Sequence, residues 1–336
     1  MSIEHFALLS LPVRVGLVGT GAAARSRSKA LLNEDRAQLV AVAGRTLERV
    51  AAFAQSYGAE AADHWQTLID RSDIDLIMVC HANCEHGAVV RAALEAGKAV
   101  VVEYPLALSV AEAEDLIALA QTQNLFLHVE HIELWGGLHQ TIKAHLAEIG
   151  TPAYVRYETV SPKNPAPQKW SYDAAQFGFP LMGALSRIHR LTNLFSAVKS
   201  VSGQLQYGGG PAPNYTTCRC TAQLTFANGV LAEVFYGKGD QVWHPARYME
   251  IQGDRGALVF EGDQGRLIQA GGESPLVLEP RRGLFAKDTA AVLDALLEGK
   301  PMYVSLQESL YAMKVAAAAE RSAATGQRIF LSGSQS

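Results

Sequence analysis

The stretch from Val13 to Ala24 has the sequence VRVGLVGTGAAA, in which an apolar run leads directly into a Gly-x-Gly-x-x-Ala turn. Gly19 allows a tight turn, and Gly21 lets the backbone come close to a bound group. A small residue at Ala24 lets a following helix pack on the strand, and the free N–H groups at the start of that helix suit a pyrophosphate. The stretch therefore predicts a dinucleotide-binding strand, turn and helix. An ordinary tight turn is the alternative interpretation.

The residues predicted to contact the dinucleotide lie at this turn and after the second strand. Enzymes that prefer NAD usually carry an acidic residue at the end of the second strand, and here that strand ends Val-Ala-Gly-Arg-Thr with no carboxylate. A guanidinium at Arg45 suits a 2′-phosphate, with the Thr46 hydroxyl beside it, so we expect NADPH to be preferred and NADH to be used less well. The alternative is a solvated loop arginine. The full set is Gly19, Thr20, Gly21, Ala22, Ala23, Gly44, Arg45 and Thr46.

Strands and helices alternate along the first third of the chain. The predicted strands are 14–18, 38–43, 75–80, 99–103 and 125–129, and the predicted helices are 22–34, 47–57, 64–70, 85–96 and 109–121. Buried apolar strands that alternate with helices are typical of a doubly wound parallel sheet. The pattern predicts a Rossmann domain over residues 1–130.

The pattern changes after Gly150. The predicted strands are 153–160, 198–207, 216–226, 230–236, 248–252, 257–261 and 266–269, and the predicted helices are 181–195, 287–297 and 306–325. Asn228-Gly229 is a strong hairpin signal. Residues 131–336 are therefore predicted to form an α+β domain with a large open, mainly antiparallel sheet. Whether the last two helices return to the first domain stays open.

Composition and charge limit the class of protein. The formal net charge is −4, so no basic field suggests nucleic acid as a partner. The chain has no apolar run long enough to cross a bilayer, and residues 1–12 lack the basic start of a signal peptide. Cys80, Cys84, Cys218 and Cys220 lack zinc-site spacing, which favours free thiols in a reducing cytoplasm and no metal. We therefore expect a cytoplasmic protein that acts on a small molecule.

Two segments, together with the two-domain order, resemble the glucose-fructose oxidoreductase, inositol dehydrogenase and MocA-like family. The segments are HANCEH at 81–86 and AGKAVVVEYP at 96–105. The resemblance implies that Asn83, His86 and Glu103 line the nicotinamide end of the cofactor, and His81 is a further predicted cofactor contact. From the residues alone, Asn83 and His86 suit equally well a role as caps of a helix that begins near Glu85. Related sugar enzymes often pair through the open sheet, so both a monomer and a homo-oligomer are consistent with the resemblance.

The chain departs from the sugar-oxidising members of this family at two places. Those members carry Glu-Lys-Pro, with the lysine in proton transfer, where this chain has Glu103-Tyr104-Pro105. They also carry an Asp and a His about one turn apart on a helix, and GALSRIHR at 183–190 lacks that pair. Without these groups a polyol oxidase has no acid–base apparatus. We therefore expect a different chemistry.

The changed residues resemble the branch of the family whose members reduce biliverdin. Further likeness lies at 127–134, 164–170, 177–180, 236–239 and 281–285, so the resemblance covers nearly the whole chain. It implies hydride transfer from NADPH to the central methine carbon of biliverdin, which gives bilirubin. An NADP-dependent sugar or polyol dehydrogenase and a non-catalytic NADPH-binding sensor are the alternatives, because a nucleotide fold does not guarantee chemistry.

Arg187 is the first candidate for the essential side chain in such a reaction. An arginine stays protonated, so it stabilises charge or polarises a water or propionate that passes the proton; a surface arginine is the alternative. Glu103 and Tyr104 end a parallel strand at the edge where ligands bind, and His131 titrates in a useful range. Glu130 and Glu133 suit a catalytic role and a domain hinge equally. The candidate catalytic residues are Arg187, Tyr104, Glu103 and His131.

The substrate candidates include cations for the two propionates of biliverdin and flat apolar side chains for its rings. Loop cations of the second domain are Lys169, Lys238, Arg247, Arg281 and Arg282, and the aromatic candidates are Trp170, Phe177, Phe179 and Trp243. Each aromatic residue suits a core position as well as a ligand contact. Asp288, at the start of a late helix, and Glu130 complete the predicted substrate-binding set.

Overall fold

The computed structural model describes residues 6–331. Residues 1–5 and 332–336 lie outside the described residues. The first range belongs to the N-terminal stretch 1–12 discussed above, and the second ends the predicted second domain. The chain forms two compact units. The first consists of Met1–Ile132 with Gly283–Leu310, and the second of Glu133–Arg282 with Tyr311–Ser336.

The helices and strands are numbered in chain order. The strands are β1 Val13–Val18, β2 Ala37–Ala43, β3 Glu60–Ala62, β4 Leu76–Val79, β5 Ala99–Glu103, β6 Leu127–Glu130, β7 Pro152–Pro162, β8 Val198–Gly208, β9 Thr217–Phe226, β10 Leu231–Gly239, β11 Ala246–Gly253, β12 Gly256–Glu261, β13 Gln264–Gln269, β14 Gly272–Leu276 and β15 Ile329–Phe330. The helices are α1 Ala22–Leu31, α2 Leu47–Tyr57, α3 Trp65–Ile69, α4 His86–Glu95, α5 Val110–Thr122, α6 Gly137–His145, α7 Ala174–Phe177, α8 Pro180–Gly183, α9 Ser186–Phe195, α10 Leu284–Glu298 and α11 Leu306–Thr325.

The first unit is built on a six-stranded parallel sheet in the order β3-β2-β1-β4-β5-β6. All four residues of β4 are buried, as expected of a strand covered by helices on both faces. The strand order reverses direction between β1 and β4, and ligands of such sheets bind at the carboxyl ends of the strands near that point. The predicted Rossmann sheet is confirmed.

The core of the first unit includes a helix from late in the chain. Val292, Leu293 and Leu296 of α10 belong to the same buried cluster as Leu17 of β1 and Leu31 of α1. Burying each such aliphatic side chain contributes about 1.5–3 kcal/mol. The packing of α10 is therefore part of what holds the glycine-rich turn after β1, and the helix that follows it, in place.

The second unit contains a nine-stranded sheet in the order β14-β13-β12-β11-β7-β10-β9-β8-β15. Strand β10 pairs parallel with β7, and the other pairs are antiparallel. Along β9, buried Cys218, Cys220 and Ala222 alternate with polar Arg219 and Thr221, so one face of the sheet is apolar and the other polar. The predicted large, mainly antiparallel sheet is confirmed.

Several predicted elements differ from the structure. The single helix predicted over 181–195 is wrong, because Ala184 has φ −116 and ψ 43, outside the helical region, and separates α8 from α9. Helix α6 and the short strands β3, β14 and β15 were not predicted. All but the last residue of β14 are exposed, so this strand carries no buried–exposed alternation from which to predict it. Across the described residues, no helix is both long and apolar enough to span a membrane.

Candidate active site

The glycine-rich turn between β1 and α1 has the shape of a phosphate site. Gly19 has φ +120, and a Cβ there would lie 2.4 Å from the carbonyl oxygen of Cys80, so only glycine fits. Gly21 is the N-cap of α1 and supplies no capping side chain, and the first turn of α1 contains no acidic residue. An added Cβ on Gly21 would meet nothing within 4 Å. The first N–H groups of α1 therefore face open space, which fits a pyrophosphate.

The loop after β2 presents a cation beside this turn. Arg45 is exposed, and Thr46 is the N-cap of α2 without using its side chain as a cap. A Cβ on Gly44 would lie 3.4 Å from Cγ2 of Thr20, so the loop and the turn are neighbours. The predicted dinucleotide contacts Gly19, Thr20, Gly21, Ala22, Ala23, Gly44, Arg45 and Thr46 thus lie at adjacent strand ends of one sheet.

The segment after β4 contributes two stacked imidazoles. The rings of His81 and His86 are stacked with centroids 5.5 Å apart, and Nδ1 of His86 donates to the carbonyl oxygen of Pro105 at 2.8 Å. Burial lowers the pKa of His81 to about 3 and lowers that of His86, so both rings are neutral at neutral pH. The N-cap of α4 is Glu85, so neither Asn83 nor His86 occupies the capping position considered above.

Two carboxylates end neighbouring strands at the same edge. Glu103 of β5 and Glu130 of β6 are directly opposite each other in register. Nε of Arg27, on α1, donates to Oε1 of Glu103 at 3.1 Å. Burial raises the pKa of Glu130 well above its usual range, and the nearby carboxylates of Glu103 and Asp288 raise it further. Burial and these two neighbours therefore favour the neutral acid form of Glu130.

Asp288 lies beneath this edge and is fully buried. It accepts hydrogen bonds from Arg27, from Nε2 of His128 at 2.9 Å and from the Tyr303 hydroxyl at 2.7 Å. Burial disfavours its charged form, but Arg27 and His128 outweigh burial and hold the pKa of Asp288 well below its usual range. A carboxylate with no exposed surface and three donors offers nothing to a substrate, so we propose a structural role for Asp288 instead of the predicted binding role.

Tyr104 and His131 form a second stacked pair near the same strand ends. Their rings lie with centroids 5.6 Å apart and an interplanar angle of 9°. Nε2 of His131 is 2.9 Å from the hydroxyl oxygen of Ser309, and its backbone N–H donates to the hydroxyl of Tyr303 at 3.0 Å. Sequence reasoning placed both rings in one group, and the structure brings them into contact within the first unit.

The second unit holds the candidate arginine. Arg187, in the first turn of α9, donates from Nε to the Thr159 hydroxyl at 3.2 Å and lies over the ring of Tyr236, 5.4 Å from its centroid. Arg247, Thr159 and Tyr236 are paired in register across β11, β7 and β10, so their side chains share one face of the sheet. The guanidinium of Arg187 is thus half-buried at a defined place on this face.

Lys238 stands two residues beyond Tyr236 on the same face of β10. Its amine lies 3.8 Å from the ring centroid of Phe177 and donates to the carbonyl oxygen of Ser171. The rings of Tyr172, Tyr215 and Tyr236 lie within 5.8 Å of it. Burial lowers the pKa of Lys238 to about 8, and Arg187 nearby adds to the shift. The side chain is therefore a cation at neutral pH that loses its charge in mild alkali.

The remaining candidates of the second unit are spread more widely. Lys169 is exposed just before the short helix Trp170–Tyr172, and the Trp170 ring packs against Phe177 at 5.9 Å. Arg247 is exposed and pairs with Asp263 at 2.8 Å. Arg190 and Arg281 both hold Glu133. Lys238, Trp170 and Arg187 thus form one neighbourhood, while Lys169 and Arg247 lie at its surface.

Arg27 is a buried residue of the candidate site that sequence reasoning missed. It has no exposed surface, and it joins Glu103 and Asp288 while its guanidinium lies 5.1 Å from the Phe285 ring centroid. The spacing of residues along α1 could have identified Arg27. Arg27 follows Ala24 by three residues and precedes Leu31 by four, so it lies on the packed face of α1, where an arginine requires acidic partners.

The chain matches two family models, and both describe oxidoreductases. Residues 13–131 match the oxidoreductase family with an NAD-binding Rossmann fold, and residues 143–331 match the C-terminal alpha/beta domain of the same family. The chain belongs to this oxidoreductase family. The predicted family membership is confirmed, and with it a nicotinamide-dependent oxidoreductase.

The similar proteins act on more than one class of substrate. A crystal structure of biliverdin reductase in complex with biliverdin and NADP+ from Synechocystis is 47% identical, covers 93% of this chain and 99% of that chain, and has a TM-score of 0.91. Mouse biliverdin reductase A is 32% identical over 134 residues, which are 40% of this chain and 42% of that protein. A dTDP-3,4-didehydro-2,6-dideoxy-alpha-D-glucose 3-reductase of Streptomyces antibioticus is 39% identical over 131 residues, which are 39% of this chain and 40% of that protein. The chain thus spans about two fifths of these two curated relatives.

Proposed function

We propose that this oxidoreductase reduces biliverdin to bilirubin, with hydride delivered from NADPH to the central methine carbon. The likeness to the Synechocystis biliverdin reductase carries the proposal, because it extends over nearly the whole of both chains at 47% identity. At that level, and over that length, it covers the second unit as well as the dinucleotide-binding unit. The curated sugar reductase matches over only about two fifths of its length.

The residues of the first unit fit the cofactor. The turn at Gly19 and Gly21 and the start of α1 would hold the pyrophosphate, and Arg45 with Thr46 would hold the 2′-phosphate. His81, Asn83, His86 and Glu103 would lie at the nicotinamide end. When bound, NADPH supplies the hydride, and a proton must also reach a pyrrole-type nitrogen of the substrate.

Side chains of the second unit suit a flat dianion. Lys238 and Arg187 are neighbouring cations on the apolar face of the sheet, and Trp170 with Phe177 adds flat apolar area next to Lys238. Arg187 stays protonated, so it stabilises negative charge on the substrate or orients the group that passes the proton. Arg247 and Lys169, at the surface, are the further cations that we propose for a propionate.

Two observations bear on the alternatives. Tyr104 stands where the sugar-oxidising members carry lysine, and its ring is stacked on His131. The sugar-oxidising members use that lysine in proton transfer, so its replacement favours the bilin over a sugar. The match to the dTDP-sugar 3-reductase keeps a nucleotide-linked sugar as the second candidate. A non-catalytic NADPH sensor remains the third.

A colour assay separates these three functions. The full chain is mixed with NADPH and green biliverdin at acidic and neutral pH, and absorbance of the bilin and of NADPH is followed together. We expect yellow product and loss of NADPH in equal amounts. Parallel reactions replace biliverdin with a panel of sugars, polyols and dTDP-linked keto sugars.

Each of the three functions predicts a different outcome of this assay. Turnover of a sugar without turnover of biliverdin would establish the dehydrogenase or sugar reductase instead. Binding of NADPH without turnover of any compound in the panel would favour the sensor. Yellowing without oxidation of NADPH would show that the colour change is not the proposed reaction.

A further inference from the structure

The carboxyl groups of Glu103 and Glu130 belong to neighbouring positions at one edge of the sheet. They end adjacent parallel strands in direct register, and the charge of Glu103 raises the pKa of Glu130. Glu130 is 2% exposed, so solvent does not screen it from its neighbour. Two carboxylates placed in this way do not both ionise at neutral pH, and the proton settles on the one whose surroundings favour the neutral form.

The hydrogen bonds show which of the two carries the charge. Oε1 of Glu103 accepts from Nε of Arg27 at 3.1 Å and from the Cys80 thiol at 3.9 Å. Within the described residues, no ion pair joins Glu130 to a cation. Its Oε1 accepts from the backbone N–H of Ile132 at 2.5 Å, which leaves Oε2 to carry a proton. The guanidinium therefore holds the negative charge on Glu103.

Asp288 keeps Arg27 in this position. Both side chains are fully buried. One carboxylate oxygen of Asp288 pairs with Arg27, and the other accepts hydrogen bonds from His128 and Tyr303. A buried arginine with two carboxylate partners on different elements has little freedom to turn away. Glu103 is thus supported from α1 and, through Asp288, from α10.

We infer that Glu103 is held as a carboxylate, with the proton on Glu130, so that its charge stabilises the positively charged nicotinamide ring of the oxidised cofactor. The inference rests on the proposed function for the place of the ring. Arg27 is then a positioning residue, because it acts through Glu103. A fixed anion beside the ring stabilises the positively charged oxidised ring more than the neutral reduced ring.

The charge of Glu103 should affect how tightly the cofactor binds even when no substrate is present. NADP+ and NADPH carry the same phosphates and ribose groups and differ in the ring, so the ratio of their dissociation constants isolates the effect of the ring. We expect Glu103→Gln to weaken NADP+ about tenfold relative to NADPH, which corresponds to about 30 mV in the potential of the bound two-electron couple. Titration calorimetry of the full chain measures both constants.

Glu130→Gln is the matched variant. It replaces a neutral acid by a neutral amide at the partner position, so the ratio should stay within about twofold of the unchanged protein. Asp115→Asn, an exposed carboxylate of α5, controls for general loss of one negative charge. A shift with Glu130→Gln as large as that with Glu103→Gln, or no shift with Glu103→Gln, overturns the inference.

A spectroscopic readout covers the case in which Glu103→Gln does not fold. Carbon-13 NMR of the carboxyl groups in glutamate-labelled protein should show one protonated glutamate at neutral pH, and Glu130→Gln should remove that signal. If no protonated carboxyl is present, the inference is wrong. If the unchanged protein binds neither NADP+ nor NADPH, the proposed function fails as well, whereas an unshifted ratio with intact turnover defeats the inference alone.

Discussion

Lys238 shows at the scale of one residue how burial and aromatic rings set a charge. Four aromatic rings surround the amine, and Ser171 supplies a carbonyl acceptor. Ring faces attract a cation, but they replace water poorly, so the pKa of Lys238 falls to about 8. The proposed contact with a propionate therefore depends on pH in a range where the carboxylates of the substrate do not titrate.

We predict that biliverdin binds more weakly as the pH rises through about 8, because Lys238 then loses its proton. In Lys238→Met the affinity should be about fivefold to tenfold lower at about pH 6.5 and should change little up to about pH 9.5. Quenching of protein fluorescence by biliverdin measures both affinities. Lys199→Met, at an exposed position of β8 outside the proposed substrate contacts, is the control. Equal pH dependence in the unchanged protein and in Lys238→Met would exclude this role.

At the scale of elements, a buried ion pair connects α1 to α10. Arg27 lies on the face of α1 that packs into the unit, and Asp288 lies in the first part of α10. Removing one partner of a buried pair leaves an uncompensated charge, which costs more than the pair contributes while intact. The first helix of the dinucleotide site and a helix from the end of the chain thus depend on each other.

We predict that Asp288→Asn lowers the free energy of unfolding by about 3–5 kcal/mol. Asp294→Asn is the matched control on the same helix: Asp294 is 31% exposed and pairs with Arg36 and Lys300, so its loss should cost about 1 kcal/mol or less. Urea unfolding followed by circular dichroism measures both.

The pH dependence of this effect has a definite sign. The pKa of Asp288 is lowered in the folded protein, so its contribution to stability is present above the unfolded pKa and disappears as the pH falls through the folded value. The difference in the free energy of unfolding between the unchanged protein and Asp288→Asn should therefore become smaller in acid. Equal costs for the two variants at neutral pH would contradict the assigned importance of the pair.

At the scale of the whole molecule, the candidate residues divide between the two units. The proposed dinucleotide contacts, with Glu103, Tyr104, Glu130 and His131, belong to the first unit, and Arg187, Lys238 and Trp170 belong to the second. Under the proposed function, cofactor affinity depends on the first set, and substrate affinity and proton delivery depend on the second. The two kinds of variant should therefore differ in which constant they change.

We predict that Arg187→Ala lowers kcat about a hundredfold or more and leaves the dissociation constant of NADPH within about twofold. The reason is that Arg187 supplies charge to the substrate, and its contacts with Thr159, Ser186 and Tyr236 belong to the second unit. Stopped-flow absorbance gives kcat, and fluorescence titration gives the affinity. Arg266→Ala, on the exposed side of β13, is the control. Near-normal kcat in Arg187→Ala would remove Arg187 from the mechanism.

Local patterns predicted the parts of this fold that depend on neighbours in the chain. The strand before Gly19, the helix over 109–121 and the hairpin at Asn228-Gly229 follow from backbone conformation and short-range hydrogen bonds. The continuous helix over 181–195 was predicted wrongly, because its apolar spacing persists through the break at Ala184. Periodicity reports which side chains are apolar, and it does not report where the backbone leaves the helical region.

By itself, the sequence determined the parallel sheet, the glycine-rich turn after its first strand and the edge at which Glu103 and Glu130 end their strands, because each depends on short-range backbone chemistry and on side-chain periodicity. Only the tertiary structure decided that Arg27 meets Asp288, 261 positions away, and that Lys238 lies among four rings from separate elements. The pKa shifts of Glu130, Asp288 and Lys238 follow from burial and from contacts of this kind. Burial and the nearest opposite or like charge set a pKa, and neither is a property of a residue's neighbours in sequence.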